Sequence, residues 1–178
     1  MPNKLPDRDY LLSRLVYNPD TGLLTYLPRP RAAFRMERLF LSWNKNWAGK
    51  VAGTKANPQE VTVSLDGLRW RAHRLIWKMV HGDEPPEIDH ADGDPHNNRL
   101  DNLRIAEHWQ NVGNAALRTT NTSGFKGVNY SKAMKKYHAR VVVAGKRVHL
   151  GFFDTFEEAT EARRRAAEET YGEFVRHV

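Results

Sequence analysis

The sequence predicts an α+β fold with three parts: an N-terminal hairpin region, a strand–loop–strand–helix unit, and a three-stranded antiparallel sheet packed on one helix. Three observations carry this. Residues 61–72 alternate in polarity about Asp66-Gly67, a two-residue hairpin turn. Residues 88–114 pass from an apolar strand into an Asp/Gly/Pro/Asn loop, return through Leu100 and Leu103, and continue into a stretch that suits a helix. Residues 124–151 hold three short β-rich runs ahead of alanines at helical spacing. The expected boundaries are an extension over 1–60, a central domain over 61–114, a polar linker over 115–123 and a C-terminal domain over 124–178.

Composition narrows the function classes. The 178 residues include no cysteine, which removes disulfide frameworks and cysteine zinc ribbons and suits a reducing interior. No run of eighteen apolar residues is present, and Met1-Pro2-Asn3-Lys4 lacks the apolar stretch of a signal peptide, so a cytoplasmic location away from membranes is expected. Net charge is +7, and its distribution says more than its size. From Thr119 to Leu150 there are seven basic residues and no acid; from His73 to Asn111 there are eight acids against four bases. From Arg29 to Lys50 the balance is basic again, six against Glu37 alone. An acidic pocket between basic flanks suits an enzyme that holds a metal ion and a polyanionic backbone.

In chain order, Asp7 is placed to cap a short helix carrying Leu11, Leu12 and Leu15. Asn18-Pro19-Asp20-Thr21-Gly22 reads as a turn before the strand Leu23-Leu24-Thr25-Tyr26. Residues 28–60 show no regular pattern; Trp43 and Trp47 read as packing residues, and Arg31, Arg35, Arg38 and Lys45 are candidates to lie along DNA phosphates. His73-Arg74-Leu75-Ile76-Trp77-Lys78-Met79-Val80-His81 reads as a helix with Leu75, Ile76, Met79 and Val80 on its buried side, stopped by Gly82.

The chemistry concentrates at Ile88-Asp89-His90 and the loop beyond. Asp89 and His90 end a strand, Asn102 sits where the chain returns, and Asn111 lies on the following helix. A carboxylate, an imidazole and amides in that order can clamp one hard divalent cation beside a general base, which phosphodiester hydrolysis needs. On these residues the chain resembles the HNH endonucleases, in members whose last motif residue is Asn. The resemblance runs from about Val61 to Asn114 through His73-Arg74-Leu75-Ile76-Trp77, Ile88-Asp89-His90, Asn97-Asn98-Arg99-Leu100, Asn102-Leu103-Arg104 and Asn111. It implies a ββα-metal (His-Me finger) core, Asp89 and Asn111 as ligands of one Mg²⁺ or Mn²⁺, and His90 as the base that activates water. It also implies Asn102 as the residue that holds the loop and orients the base. His108 and Asn114 stand one helical turn either side of Asn111, placed to meet the metal or a phosphate. A zinc site of His73, His90, His96 and His108 matches no zinc spacing.

Toward the C-terminus, Tyr137, Ala139, Val141 and Val143 alternate with His138, Arg140 and Val142, giving one packed and one basic face. Asp154-Thr155 opens a helix with Glu157 and Glu158 in capping positions, and Ala159, Ala162 and Ala166 suit its packed side. Through Ser123-Gly124-Phe125-Lys126-Gly127-Val128, Ala139-Arg140-Val141, Leu150-Gly151-Phe152-Phe153-Asp154-Thr155 and Glu158-Ala159, residues 121–175 resemble the APETALA or ethylene-response-factor type DNA-binding domain. That resemblance implies a sheet that enters the major groove, with Lys126, Asn129, Ser131, Arg140, Arg147 and His149 facing DNA. Lys132, Lys135, Lys136 and Lys146 complete the basic surface, and Arg140 or Arg147 is the expected guanine reader.

Together these readings describe a homing-type DNA endonuclease, phage or mobile-element encoded, that acts as a monomer on double-stranded DNA and nicks one strand. The rivals are a DNA-binding regulator that keeps an inactive nuclease fold and an RNA-directed protein. The latter is disfavoured because no aromatic pair for base stacking is evident on the basic sheet.

Overall fold

The computed structural model describes residues 4–57, 60–115, 117 and 120–175. The chain divides into two compact units, Met1–Ile105 and Ala106–Val178.

The first unit opens with helix α1 (Arg8–Leu12), whose N-cap position is Asp7, although the Asp7 side chain makes no capping hydrogen bond. Strands β1 (Leu15–Asn18) and β2 (Leu23–Tyr26) form a hairpin. Asn18 builds its turn, its Oδ1 accepting the N–H groups of Asp20 (2.9 Å) and Thr21 (3.2 Å). The stretch that sequence pattern leaves irregular contains an eleven-residue helix, α2 (Glu37–Trp47). Helix α2 buries no residue fully and has no side-chain cap, although Phe40, Trp43 and Trp47 recur at helical spacing along it. Trp43 is its anchor, edge-on to Tyr26 at 5.9 Å and under the Arg29 guanidinium at 4.4 Å.

Strand β3 (Val51–Ala52) completes the first sheet beside β2. Strands β4 (Thr54–Asn57), β5 (Glu60–Leu65) and β6 (Leu68–Arg71) form a second, antiparallel sheet. Its tight turn has Asp66 at φ 51° and Gly67 at φ 81°, both left-handed, as a two-residue hairpin loop of the expected kind requires. Helix α3 (Ala72–His81) ends at Gly82, φ 83°, and packs on the β5–β6 hairpin and on α1. Strands β7 (Ile88–His90) and β8 (Leu103–Ile105) then pair antiparallel. One core runs through the whole unit: Leu11, Leu15 and Leu24 of the N-terminal region join Val63, Leu65, Leu75, Ile76, Ile88 and Leu103. The expected extension over 1–60 therefore shares its core with α3, β5, β7 and β8, rather than forming a separate part.

The second unit begins with helix α4 (His108–Asn114). Sequence pattern assigns this helix to the central domain and a linker to 115–123. Instead Ala106 joins Val141, Ala167, Tyr171 and Phe174 in a buried cluster, and Trp109 stacks on Tyr171 at 6.0 Å. Residues 116, 118 and 119 of that linker lie outside the described residues. At its far end Asn121 organises a turn, its Oδ1 accepting the N–H groups of Ser123 (3.0 Å) and Gly124 (2.8 Å). Strands β9 (Val128–Ser131), β10 (Lys136–Val143) and β11 (Lys146–Phe153) form an antiparallel sheet in the order β11-β10-β9. Helix α5 (Phe156–Tyr171) packs on it, opened by a Thr155–Glu158 capping box. Its buried residues are Ala159, Arg163, Ala167 and Tyr171; Ala162 and Ala166 are only half-buried.

This packing leads to two expectations. A Cβ on Gly113 would stand 2.7 Å from Cδ1 and 2.8 Å from Cγ of Tyr171. Gly113→Ala should thus lower the melting temperature, at a net cost of roughly 1–2 kcal/mol, because overpacking outweighs the gain in helix propensity. A raised melting temperature would show that α4 does not rest on Tyr171. In the first unit, burial is the main force holding the His73 imidazole down to about 3 from 6.5, with the neighbouring His90 adding to it. His73 is neutral when folded, while the unfolded chain gains a proton below about pH 6.5. The stability it contributes is whole above about 6.5 and is lost as pH falls toward 3, by roughly 2 kcal/mol between pH 7 and 5. Denaturant titrations at both pH values should show that component in the wild type and not in His73→Phe; equal pH slopes would contradict it.

Candidate active site

The site grows from the β7–β8 pair and the loop between them. Antiparallel register sets Asp89 opposite Arg104 and His90 opposite Leu103. Asp89 is only 5% exposed, and its Oδ2 accepts from Arg104 Nε at 3.0 Å, with Arg104 Nη2 2.9 Å from the same oxygen. Such a partner offsets the hydration that a carboxylate loses on burial. Sequence reasoning missed Arg104, though cross-strand pairing of opposite charges was the signal that could have found it.

The loop is tied by amides. Asn102, buried at the end of a 3₁₀ turn over Leu100–Asn102, accepts the Asp92 N–H at 3.0 Å and donates to Asp92 Oδ1 (3.0 Å) and the Asn97 carbonyl (2.8 Å). Asn97 Nδ2 also donates to Asp92, at 2.7 Å. Burial by itself raises the Asp92 carboxyl, but these donors and the Asp94 N–H outweigh it and hold it below the usual range. Asn102 thus closes the loop.

The contact on the His90 ring comes from Asn98. This side chain is 3% exposed, and its Oδ1 stands 3.0 Å from His90 Nε2. A carbonyl oxygen only accepts, so Nε2 is the donor in this contact. Asn98 is itself held from the N-terminal hairpin. Tyr17 Oη donates to the Asn98 carbonyl at 3.1 Å, and Gly22, at φ 70°, lies so near that a Cβ would meet Arg99 N at 2.7 Å and Asn98 C at 2.8 Å. On the other side of His90, His73 meets its ring edge-to-face at 5.2 Å. His73 is buried here, and being neutral it adds no charge beside His90. His96 pairs its Nδ1 with Asp94 at 3.3 Å.

Asn111 lies on α4, in the second unit, where it is half-buried; His108 on the same helix is exposed and Asn114 is 6% exposed. Among the described residues, no three His, Cys, Asp or Glu side chains gather into a metal-holding group. What the chain offers is a carboxylate and an amide, hard oxygen donors whose chemistry fits a magnesium-type ion.

Of the candidate DNA contacts, Arg35, Arg38 and Lys45 are exposed in the first unit, while Arg31 pairs with Glu37 and donates to the Phe34 carbonyl at 2.6 Å. In the second unit Lys132, Lys135, Lys146 and Arg147 are exposed; Asn129, Ser131 and Arg140 are half-buried. Lys136 pairs with Asp154 at 3.0 Å, and Lys126 Nζ donates to the Gly113 carbonyl at 2.8 Å. The exposed His149 stacks on His138 at 5.2 Å, with Phe152 against both. This ring cluster escapes sequence inspection because a register shift between Ala139 and Arg140 creates it, and it corrects the reading of the sheet as lacking paired rings. Burial and the facing His149 lower the His138 pKa.

No described helix is long and apolar enough to cross a membrane. A family model described as HNH endonuclease matches residues 71–112, a segment that holds Asp89, His90, Asn102 and Asn111. "Protein 3.8" of Escherichia phage T7 is 35% identical over 108 residues, covering 60% of this chain and 88% of that protein. "Uncharacterized HNH endonuclease L560" of Acanthamoeba polyphaga mimivirus is 32% identical over 116 residues, 64% of this chain and 59% of that protein. No solved structure matches significantly. With the ion-paired aspartate, the clamped histidine and the asparagine-tied loop inside the matched segment, the chain belongs to the HNH endonuclease family and is a DNA-hydrolysing enzyme.

Proposed function

We propose that this enzyme is a homing-type endonuclease that nicks one strand of duplex DNA, acting as a monomer inside a host cell. The observation that carries the catalytic part is the imidazole of His90, held at Nε2 by Asn98 directly after the buried Asp89. HNH nucleases generally use divalent metal ions. Asp89 and Asn111 would hold one such ion, Mg²⁺ or Mn²⁺, which when bound supplies charge at the scissile phosphate and the leaving oxygen.

The remaining roles fall to this chain's own groups. His90 Nδ1 takes a proton from the attacking water, while Asn98 keeps the ring in the tautomer that makes this possible. Asn102 holds the loop that carries Asn98, and Arg104 holds Asp89 in place through their ion pair. His108 and Asn114 would serve as phosphate or supporting contacts. In the second unit the resemblance to the APETALA type supports a sheet docked in the major groove through Lys126, Asn129, Ser131, Arg140, Arg147 and His149. Lys132, Lys135, Lys136 and Lys146, with Arg31, Arg35, Arg38 and Lys45 of the first unit, would meet phosphates. Viral relatives support a phage or mobile-element origin.

Supercoiled plasmid incubated with Mg²⁺ tests this reading. Wild type should give open-circle product that EDTA abolishes. His90→Ala should slow nicking by roughly 10²–10⁴ while leaving duplex binding intact. Asn98→Ala should slow it about 10–100-fold by lowering kcat rather than raising KM, because it loosens the base without touching substrate. Wild-type speed in His90→Ala would remove the base assignment. Duplex binding without any nicking would establish the regulator instead.

A further inference from the structure

Arg163 is 3% exposed and sits on the buried stripe of α5. Its Nε and Nη1 are buried with no hydrogen-bond partner. The Tyr171 ring lies 5.9 Å from its guanidinium carbon, and a Cβ on Gly127 would stand 2.8 Å from its Nε and would also meet the Arg140 carbonyl. Glycine at 127, with φ 75°, thus leaves room for the guanidinium beneath the turn. Burial without a counter-ion lowers the pKa of this group from the ordinary arginine value.

Arg163 also lines a cavity of about 450 Å³ within the second unit. Lys126, Arg140 and Arg147 share that lining with Asn129 and Tyr171, and among the described residues no carboxylate contributes. Four cationic side chains around one concavity, one of them buried with donors unused, form a receptor short of an anion. A guanidinium fork matches a tetrahedral oxyanion, and the space suits a group of nucleotide size.

We propose that this cavity is a phosphate-binding site with Arg163 at its base, receiving either a backbone phosphate of DNA or the phosphate of a free nucleotide. The site is distinct from the Asp89–His90 centre, and phosphate binding here requires no divalent ion, so its test stands apart from the cleavage reading.

The test uses the full chain in EDTA. Thermal unfolding is followed with inorganic phosphate, with a 5′-deoxynucleoside monophosphate, and with chloride at matched ionic strength. Duplex binding is followed by fluorescence anisotropy over a salt series. Wild type should melt higher in phosphate or nucleotide than in chloride, and Arg163→Met should lose that response with at least tenfold weaker binding. In phosphate-free buffer Arg163→Met should melt no lower than wild type, because it removes an uncompensated buried charge. If only DNA fills the site, free phosphate gives no shift, and Arg163→Met weakens duplex binding severalfold and lowers the salt slope by about one. Should Arg163→Met fail to fold, Arg147→Gln at the exposed rim should still weaken the phosphate or duplex response severalfold. The proposal is overturned if wild type and Arg163→Met respond identically to phosphate, nucleotide and duplex. It is equally overturned if Arg163→Met unfolds and Arg147→Gln changes nothing.

Discussion

One hydrogen bond, from His90 Nε2 to Asn98 Oδ1, sets what the first unit can do. Free imidazole exchanges its proton between two nitrogens and turns about its χ angles; a base that must act in one direction can do neither. Asn98 stops both, provided that its own backbone is fixed. Tyr17 and the Gly22 turn provide that from a hairpin some eighty residues earlier, and Asn102 provides it from within the loop. The N-terminal hairpin, which shares a core with β7 and β8, is thus part of the support of His90.

Charge is organised about the same point. Arg104 balances Asp89 across the strand pair, so the buried carboxylate has a counter-charge in direct contact. His73, pressed edge-on to His90, is kept neutral by burial and places no competing cation against the ring. The acidic bias of residues 73–111 therefore resolves into few roles: Asp89 is buried and paired, whereas Asp92 and Asp94 cap the turns of the loop.

Much of this was legible in the residues. Period-two alternation, the Asp66-Gly67 turn and the Gly82 stop mark β5, β6 and α3, because local sterics and a single buried face decide them. The Asp89-His90 pair and the spaced asparagines point to the family. Asn98 did not stand out, because Asn97, Asn98, Asn102 and Asn111 are chemically alike and a 3₁₀ turn decides which amide reaches the ring. Helix α2 escaped because no side chain caps it and polar residues interrupt its apolar positions Phe40, Trp43 and Trp47. Arg163 escaped because alanines at 159, 162 and 166 offer a plausible packed face, whereas the buried one runs through 159, 163, 167 and 171. The start of the second unit at Ala106 was hidden too, since Tyr171 and Phe174, which Ala106 joins, lie more than sixty residues away.

Nitrogen-15 NMR of the histidine rings tests the central interaction most directly. At neutral pH His90 should show a protonated Nε2 and an unprotonated Nδ1, and Asn98→Ala should return it to a mixture of tautomers. A wild-type His90 that is already mixed, or protonated at Nδ1, would contradict the account of how this base is held.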